Sequence, residues 1–90
     1  MSNALHKQLI KVKDNDTVNL GGNITAKCDR DKANSMDLYD EEKGFIVYKA
    51  GKEVGSISAY SNGEVVYFSE KKEKDIVVTS KNDLVSAIGN

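Results

Sequence analysis

Asn62-Gly63, set between ISAYS and EVVYF, is the strongest turn signal in the chain. A two-residue type I′ turn needs positive φ at both central positions, and Asn-Gly supplies them at little cost. The dipeptide anchors the stretch Gly44–Ser69, which reads as three strands joined by two tight turns. The turn sets a register: Tyr60 opposite Val65, Ala59 opposite Val66, Ser58 opposite Tyr67 and Ile57 opposite Phe68. Directly paired residues share a face, so Ile57, Ala59, Val66 and Phe68 are expected together.

The preceding hairpin, Phe45–Tyr48 to Val54–Ile57, has Lys49-Ala50-Gly51 as its loop, which fits a type I turn followed by a left-handed Gly bulge. That loop pairs Ile46 with Val54. Phe45 and Val47 then join the Ile57 face, while Ile46, Tyr48 and Val54 join Tyr60, Val65 and Tyr67 on the other. Both faces are apolar, and one short helix covers only one of them. The second face is therefore closed internally, by a second copy or by a partner.

The flanks follow the same turn logic. Ser2-Asn3-Ala4 matches a remnant of tag removal, so residues 1–4 are given no structure, whether remnant or disordered. From Leu5 to Lys13 two templates compete: Leu5, Leu9 and Val12 fit a helical stripe, Ile10 and Val12 a strand, and a strand over Gln8–Lys13 is favoured. Asp14-Asn15-Asp16 turns the chain. Val18, Leu20, Ile24, Ala26 and Cys28 alternate around Gly21-Gly22-Asn23. A three-residue loop pairing Leu20 with Ile24, Val18 with Ala26 and Asp16 with Cys28 keeps them on one face, with Asn23 left-handed. Asp29–Gly44 reads as a turn over Asp29–Asn34, a short strand over Ser35–Tyr39 and a second turn over Asp40–Gly44; a functional loop is the other reading.

Glu70–Asp75 is a charged connection and Ile76–Thr79 a last, β-branched strand. Ser80 has the chemistry of a helix N-cap with Asp83 as in a capping box. Leu84, Val85 and Ile88 form the stripe, and Gly89 the stop. Turn signals about every ten residues predict a mainly β fold: an antiparallel β-meander of six or seven strands closing as a small barrel or sandwich, with one C-terminal helix. Ninety residues make one domain spanning 1–90.

Thirteen Lys and Arg against fourteen Asp and Glu leave a net charge of −1, so no global field draws the chain to nucleic acid or an anionic membrane. No apolar run is long enough to span a bilayer. A single cysteine excludes a disulfide framework, and with no secretory segment at the start a cytoplasmic location is expected.

Chemistry-bearing residues are sparse. His6 is alone, which leaves neither a two-His metal site nor a Ser-His pair. Cys28 falls on the expected inner face as a small hydrophobe with ordinary acidity. Asp29, Asp31, Asp37, Asp40, Glu41 and Glu42 suggest Ca²⁺, but Ala33, Asn34 and Asp40 stand where a calcium loop needs a ligand, Gly and Glu. Gly21-Gly22 lacks the Lys-Ser/Thr of a phosphate loop. No catalytic residue, metal or cofactor is expected, and the chain reads as a non-enzyme, with carboxylate-only and lysine-based chemistry left open.

The expected function is a protein-binding or accessory module, as a homo-oligomer or with a protein partner. It would use the face of Ile46, Tyr48, Val54, Tyr60, Val65 and Tyr67 or an exposed strand edge. The alternative is a single-stranded nucleic-acid-binding small β-barrel, with Tyr48, Tyr60 and Tyr67 stacking bases while Lys49 and Lys52 meet phosphates.

Overall fold

In the computed structural model, which describes residues 4–29 and 41–89, α1 (Ala4–Leu9) precedes an antiparallel meander. Its strands are β1 (Thr17–Gly21), β2 (Ile24–Cys28), β3 (Glu41–Lys49), β4 (Lys52–Tyr60), β5 (Val65–Ser69) and β6 (Lys74–Val78), and α2 (Lys81–Gly89) follows. The sheet order is β1-β2-β3-β4-β5-β6, each strand beside its chain neighbours. This is the expected mainly β meander with its C-terminal helix. The sheet is not closed, because β1 and β6 do not pair; α2 instead touches β1, β5 and β6 and so spans the two ends of the meander.

The N-terminal expectation is corrected. Residues Ala4–Leu9 are helical, not part of a strand over Gln8–Lys13. Leu5 and Leu9, one turn apart, are both fully buried, and Val12 packs on the same core. A strand would have separated this stripe. Two further ties hold α1 and the segment after it to the sheet: His6 Nε2 lies 2.7 Å from the Tyr60 carbonyl, and the Lys43 ammonium donates to the Val12 carbonyl. A carbonyl only accepts, so His6 Nε2 carries the proton.

In β1–β2 the pair Val18–Ala26 and the left-handed Asn23 (φ 65°) are as expected. The loop is shorter: Gly21 pairs with Ile24 across a two-residue Gly22-Asn23 turn, and a bulge at Leu20 absorbs the extra residue. Leu20, Ile24, Ala26 and Cys28 still face inward. The turn expected over Asp40–Gly44 is replaced by the start of β3, where Glu41 pairs with Tyr60 and Gly44 with Ser58, because β4 is long enough to supply ladder partners. The strand expected over Ser35–Tyr39 lies outside the described residues, as does most of the acidic loop.

The two central hairpins exchange their turn types. Lys49 pairs with Lys52 across Ala50-Gly51, whose φ values of 51° and 82° mark a two-residue turn. A bulge at Val54 then brings Phe45 opposite Ile57 and Ile46 opposite Ser56, not Val54. At the next turn only Gly63 has positive φ (93°), the Gly63 amide donates to the Tyr60 carbonyl at 3.0 Å, and Tyr60 and Glu64 close the loop at 2.9 Å. Ser61-Asn62-Gly63 is thus a three-residue loop with a left-handed Gly. It pairs Ala59 with Val65, Ser58 with Val66 and Ile57 with Tyr67, one residue away from the expected register. A one-residue slip turns a whole strand over. Val65 and Tyr67 point into the core, and Val66 and Phe68 point out.

The inner face carries Ile24, Ala26, Phe45, Val47, Ile57, Val65, Tyr67 and Val78, sealed by Leu5 and Leu9 of α1 and Leu84 of α2. Tyr67 lies over Gly55. A Cβ there would overlap the Phe68 carbonyl oxygen and stand 2.8 Å from Tyr67 Oη, so only glycine fits. Helix α2 starts as its sequence suggests: Ser80 Oγ accepts the Asp83 amide at 3.1 Å. The Asp83 carboxylate reaches one residue beyond the usual box and takes the Thr79 amide and hydroxyl. β6 begins at Lys74, two residues before the expected strand, because Ser69 and Phe68 offer partners to Lys74 and Asp75.

Candidate functional site

The slip of β5 decides which residues meet solvent on the outer face. Its ladder neighbours form two rows running across the sheet: Lys27, Ile46, Ser56, Phe68 and Asp75, and beside it Gly44, Ser58, Val66 and Val77. No described helix covers this face, since α1 and α2 both pack on the inner one. Apolar exposure gathers at the β5–β6 end, where Phe68 is 38% and Val77 60% exposed; these are the exposed large hydrophobics among the described residues. Toward the middle, Ile46 is buried and Val66 half-buried.

The residues expected to share a tyrosine-bearing face are therefore divided. Tyr67 and Val65 belong to the core, and the Tyr67 hydroxyl donates to the Val54 carbonyl at 3.1 Å. Val54, displaced by the bulge, packs against the core as well. Ile46, Tyr48 and Tyr60 remain on the outer face, the two tyrosines half-buried. They stand at opposite ends of the sheet: Tyr48 pairs with Glu53, and the seven residue steps from Glu53 to Tyr60 cover about 23 Å at the rise of a strand. Lys49 and Lys52 are exposed together at the tip of the β3–β4 hairpin. The structure joins these two lysines with Tyr48 and with neither of the other tyrosines.

Sequence reasoning missed Phe68, Val66 and Val77 as surface residues. Val65-Val66-Tyr67-Phe68 is continuously apolar, so the strand has no polar alternation to show which side faces water. The exposed Val77 had a weak signal: it follows a charged run and precedes the helix cap, at the end of the meander where an edge strand belongs.

β6 is such an edge. Among the described residues it pairs with β5 alone, and an antiparallel edge strand turns alternate N–H and C=O groups away from its neighbour. Bulge, turn and exposed Asn19 interrupt the opposite edge, β1. The β6 end of the sheet thus combines an open ladder with exposed apolar side chains.

The titratable groups fit this division. Burial pushes the Tyr67 hydroxyl and the Cys28 thiol above their ordinary values, the latter against the opposing pull of the Lys43 charge. Cys28 Sγ donates toward the Asp14 carboxylate at 3.7 Å, so its proton is retained at neutral pH. Hydrogen bonds from the Thr79 hydroxyl and amide hold Asp83 below the usual carboxylate range. No group of three His, Cys, Asp or Glu among the described residues is placed to hold a metal ion. No described helix is long and apolar enough to cross a membrane. Comparison with protein-family models, curated proteins and solved structures finds no match to this chain.

Proposed function

We propose that this chain is a non-enzymatic, cytoplasmic protein-binding module that engages its partner through the β6 end of the sheet. The observation that carries the reading is the coincidence, in one strand, of an open sheet edge with Val77, 60% exposed beside Phe68. Such an edge pairs with another chain unless something blunts it, and adjacent apolar side chains add desolvation energy to the backbone hydrogen bonds. Lys74 and Asp75 guard only the beginning of β6, and Ile76 and Val77, which follow, carry no charge.

The nucleic-acid alternative loses its motivation. Base stacking along a strand needs aromatic faces within reach of successive bases. Tyr67 is 1% exposed, and Tyr48 and Tyr60 are too far apart to act on neighbouring bases.

Site-specific photo-cross-linking tests the reading. A benzophenone side chain in place of Val77 is expected to give a discrete protein adduct in cells, while the same group in place of Asn19, on the β1 edge, gives none. The adduct mass separates a second copy of the chain from a different protein. Equal labelling from both positions, or none from position 77, overturns the proposal; retention on single-stranded DNA that is lost on Tyr48→Ala would favour the alternative.

A further inference from the structure

The inner side of β6 opens into a groove of about 380 Å³ whose second wall is α2. Ile76 and Val78 lie along the strand side with Val77, and Asp83, Ser86 and Ala87 along the helix. Lys72 and Lys74 stand at one end. Asp83, Ser86 and Ala87 are three and four residues apart and so occupy one stripe of the helix. Because α2 begins directly after β6, Asp83 lies at the Val78 end, opposite the lysines.

We propose that this groove takes an extended, acidic peptide segment as a seventh strand, antiparallel to β6, with its carboxylates at Lys72 and Lys74. The inference rests on the β6-end reading above and names the chemistry of the partner.

Three features of the groove converge on it. Its strand wall, Lys74, Ile76 and Val77, belongs to the edge strand of the sheet, so a segment seated there meets open ladder positions and gains backbone hydrogen bonds. Its volume is at the small end for ligand sites, which suits the side chains of a short strand and not a folded surface. Lys74–Val77 extends about 13 Å, matching the four strand-forming residues of a short bound segment whose last residues reach Lys72.

The charges set direction. In an antiparallel pair the C-terminal end of the segment lies beside the first residues of β6, next to Lys72 and Lys74. Asp83, at the far end, repels a carboxylate placed there. Acidic residues are therefore favoured at the C-terminal end of the segment and disfavoured at its start.

The test uses the full chain and fluorescence anisotropy with a fluorescein-labelled, C-terminally amidated hexapeptide, threonine-valine-threonine-valine-glutamate-glutamate. Amidation removes the terminal carboxylate, so only side-chain charge is read. This peptide is expected to bind at least about tenfold more tightly than its counterpart ending in two lysines. Lys72→Glu combined with Lys74→Glu should reverse that preference. N-methylation of the valine amides should abolish binding, because it removes the donors a strand needs.

Ser86→Arg, at an exposed helical position, should block the groove while thermal melting reports an intact fold. Asn19→Lys, on the exposed β1 edge, should leave the affinity within about threefold. Equal binding of both peptides, or binding insensitive to Ser86→Arg, overturns the proposal. If neither peptide binds and the position-77 adduct still forms, the groove assignment fails alone; if the adduct is missing too, the β6-end reading fails with it.

Discussion

The hairpins β3–β4 and β4–β5 share a strand, and each departs from the register its turn sequence suggests. Their consequences differ in kind. In β3–β4 the pairing moves by two residues, from Ile46–Val54 to Ile46–Ser56, and Phe45, Val47 and Ile57 stay on the expected inner face. In β4–β5 it moves by one residue, from Ile57–Phe68 to Ile57–Tyr67, and every side chain of β5 changes sides. An even displacement preserves faces and an odd one inverts them, so the smaller error had the larger effect on the surface. A hairpin register is thus worth testing by parity before distance.

The largest expected effect comes from the two rings of β5. Tyr67→Ala should cost about 3–5 kcal/mol, as for truncation of a buried ring, while Phe68→Ala, 38% exposed, should cost less than about 1 kcal/mol. Urea midpoints measure both. The register read from the sequence alone requires the opposite order, so equal or reversed costs would break the comparison.

Next in size is Gly55→Ala, expected to destabilise by about 1–3 kcal/mol or more, because the new methyl meets the Phe68 carbonyl oxygen and the Tyr67 ring. A neutral substitution would mean that Tyr67 does not lie over β4.

The turns themselves should show effects of about 1 kcal/mol with opposite signs. Gly63→Val places a β-branched residue at φ 93° and should destabilise by more than about 1 kcal/mol. Ala50 already sits at φ 51°, so Ala50→Gly should relieve strain and stabilise by about 0.5–1 kcal/mol. Thermal melting of both variants sharpens the assignment of a two-residue turn to the first hairpin and a three-residue loop to the second.

The smallest effect is a pH dependence. Burial raises the folded-state Tyr67 pKa above its ordinary value of 10.0, so the folded chain holds this proton when the unfolded chain releases it. The resulting stability is fully present below about pH 10 and is lost as pH rises through the folded value. Tyr67→Phe should flatten that alkaline decline while losing about 1 kcal/mol of hydrogen bonding to the Val54 carbonyl. Melting curves across the alkaline range read both. An unchanged slope would place the phenol in water, as the other register demands.

Local chemistry determined much of this protein before any contact was formed. Turn residues at Gly21-Gly22-Asn23, Lys49-Ala50-Gly51 and Asn62-Gly63 mark three reversals of the chain, and the antiparallel neighbours β1–β2, β3–β4 and β4–β5 follow from them. Ser80 and Asp83 start α2 through hydrogen bonds within a few residues, so the sequence alone locates that helix. The separation of Cys28, Ile24 and Ala26 from Thr25 and Lys27 was equally legible, because polar residues alternate with apolar ones there.

What tertiary structure decided were the choices that local energies leave nearly balanced. Leu5–Lys13 fits two periods, and only the inner face of the sheet, which buries Leu5 and Leu9, selects the helix. Val65–Phe68 is apolar on both sides; the place for Tyr67 over the bare Gly55 selects which two residues go inward. The candidate site inherits that choice, since Phe68 reaches the surface because Tyr67 fills the core. Register is set by the sum of cross-strand packing over a whole strand, a quantity that exists only once both strands and the helices beneath them are in place.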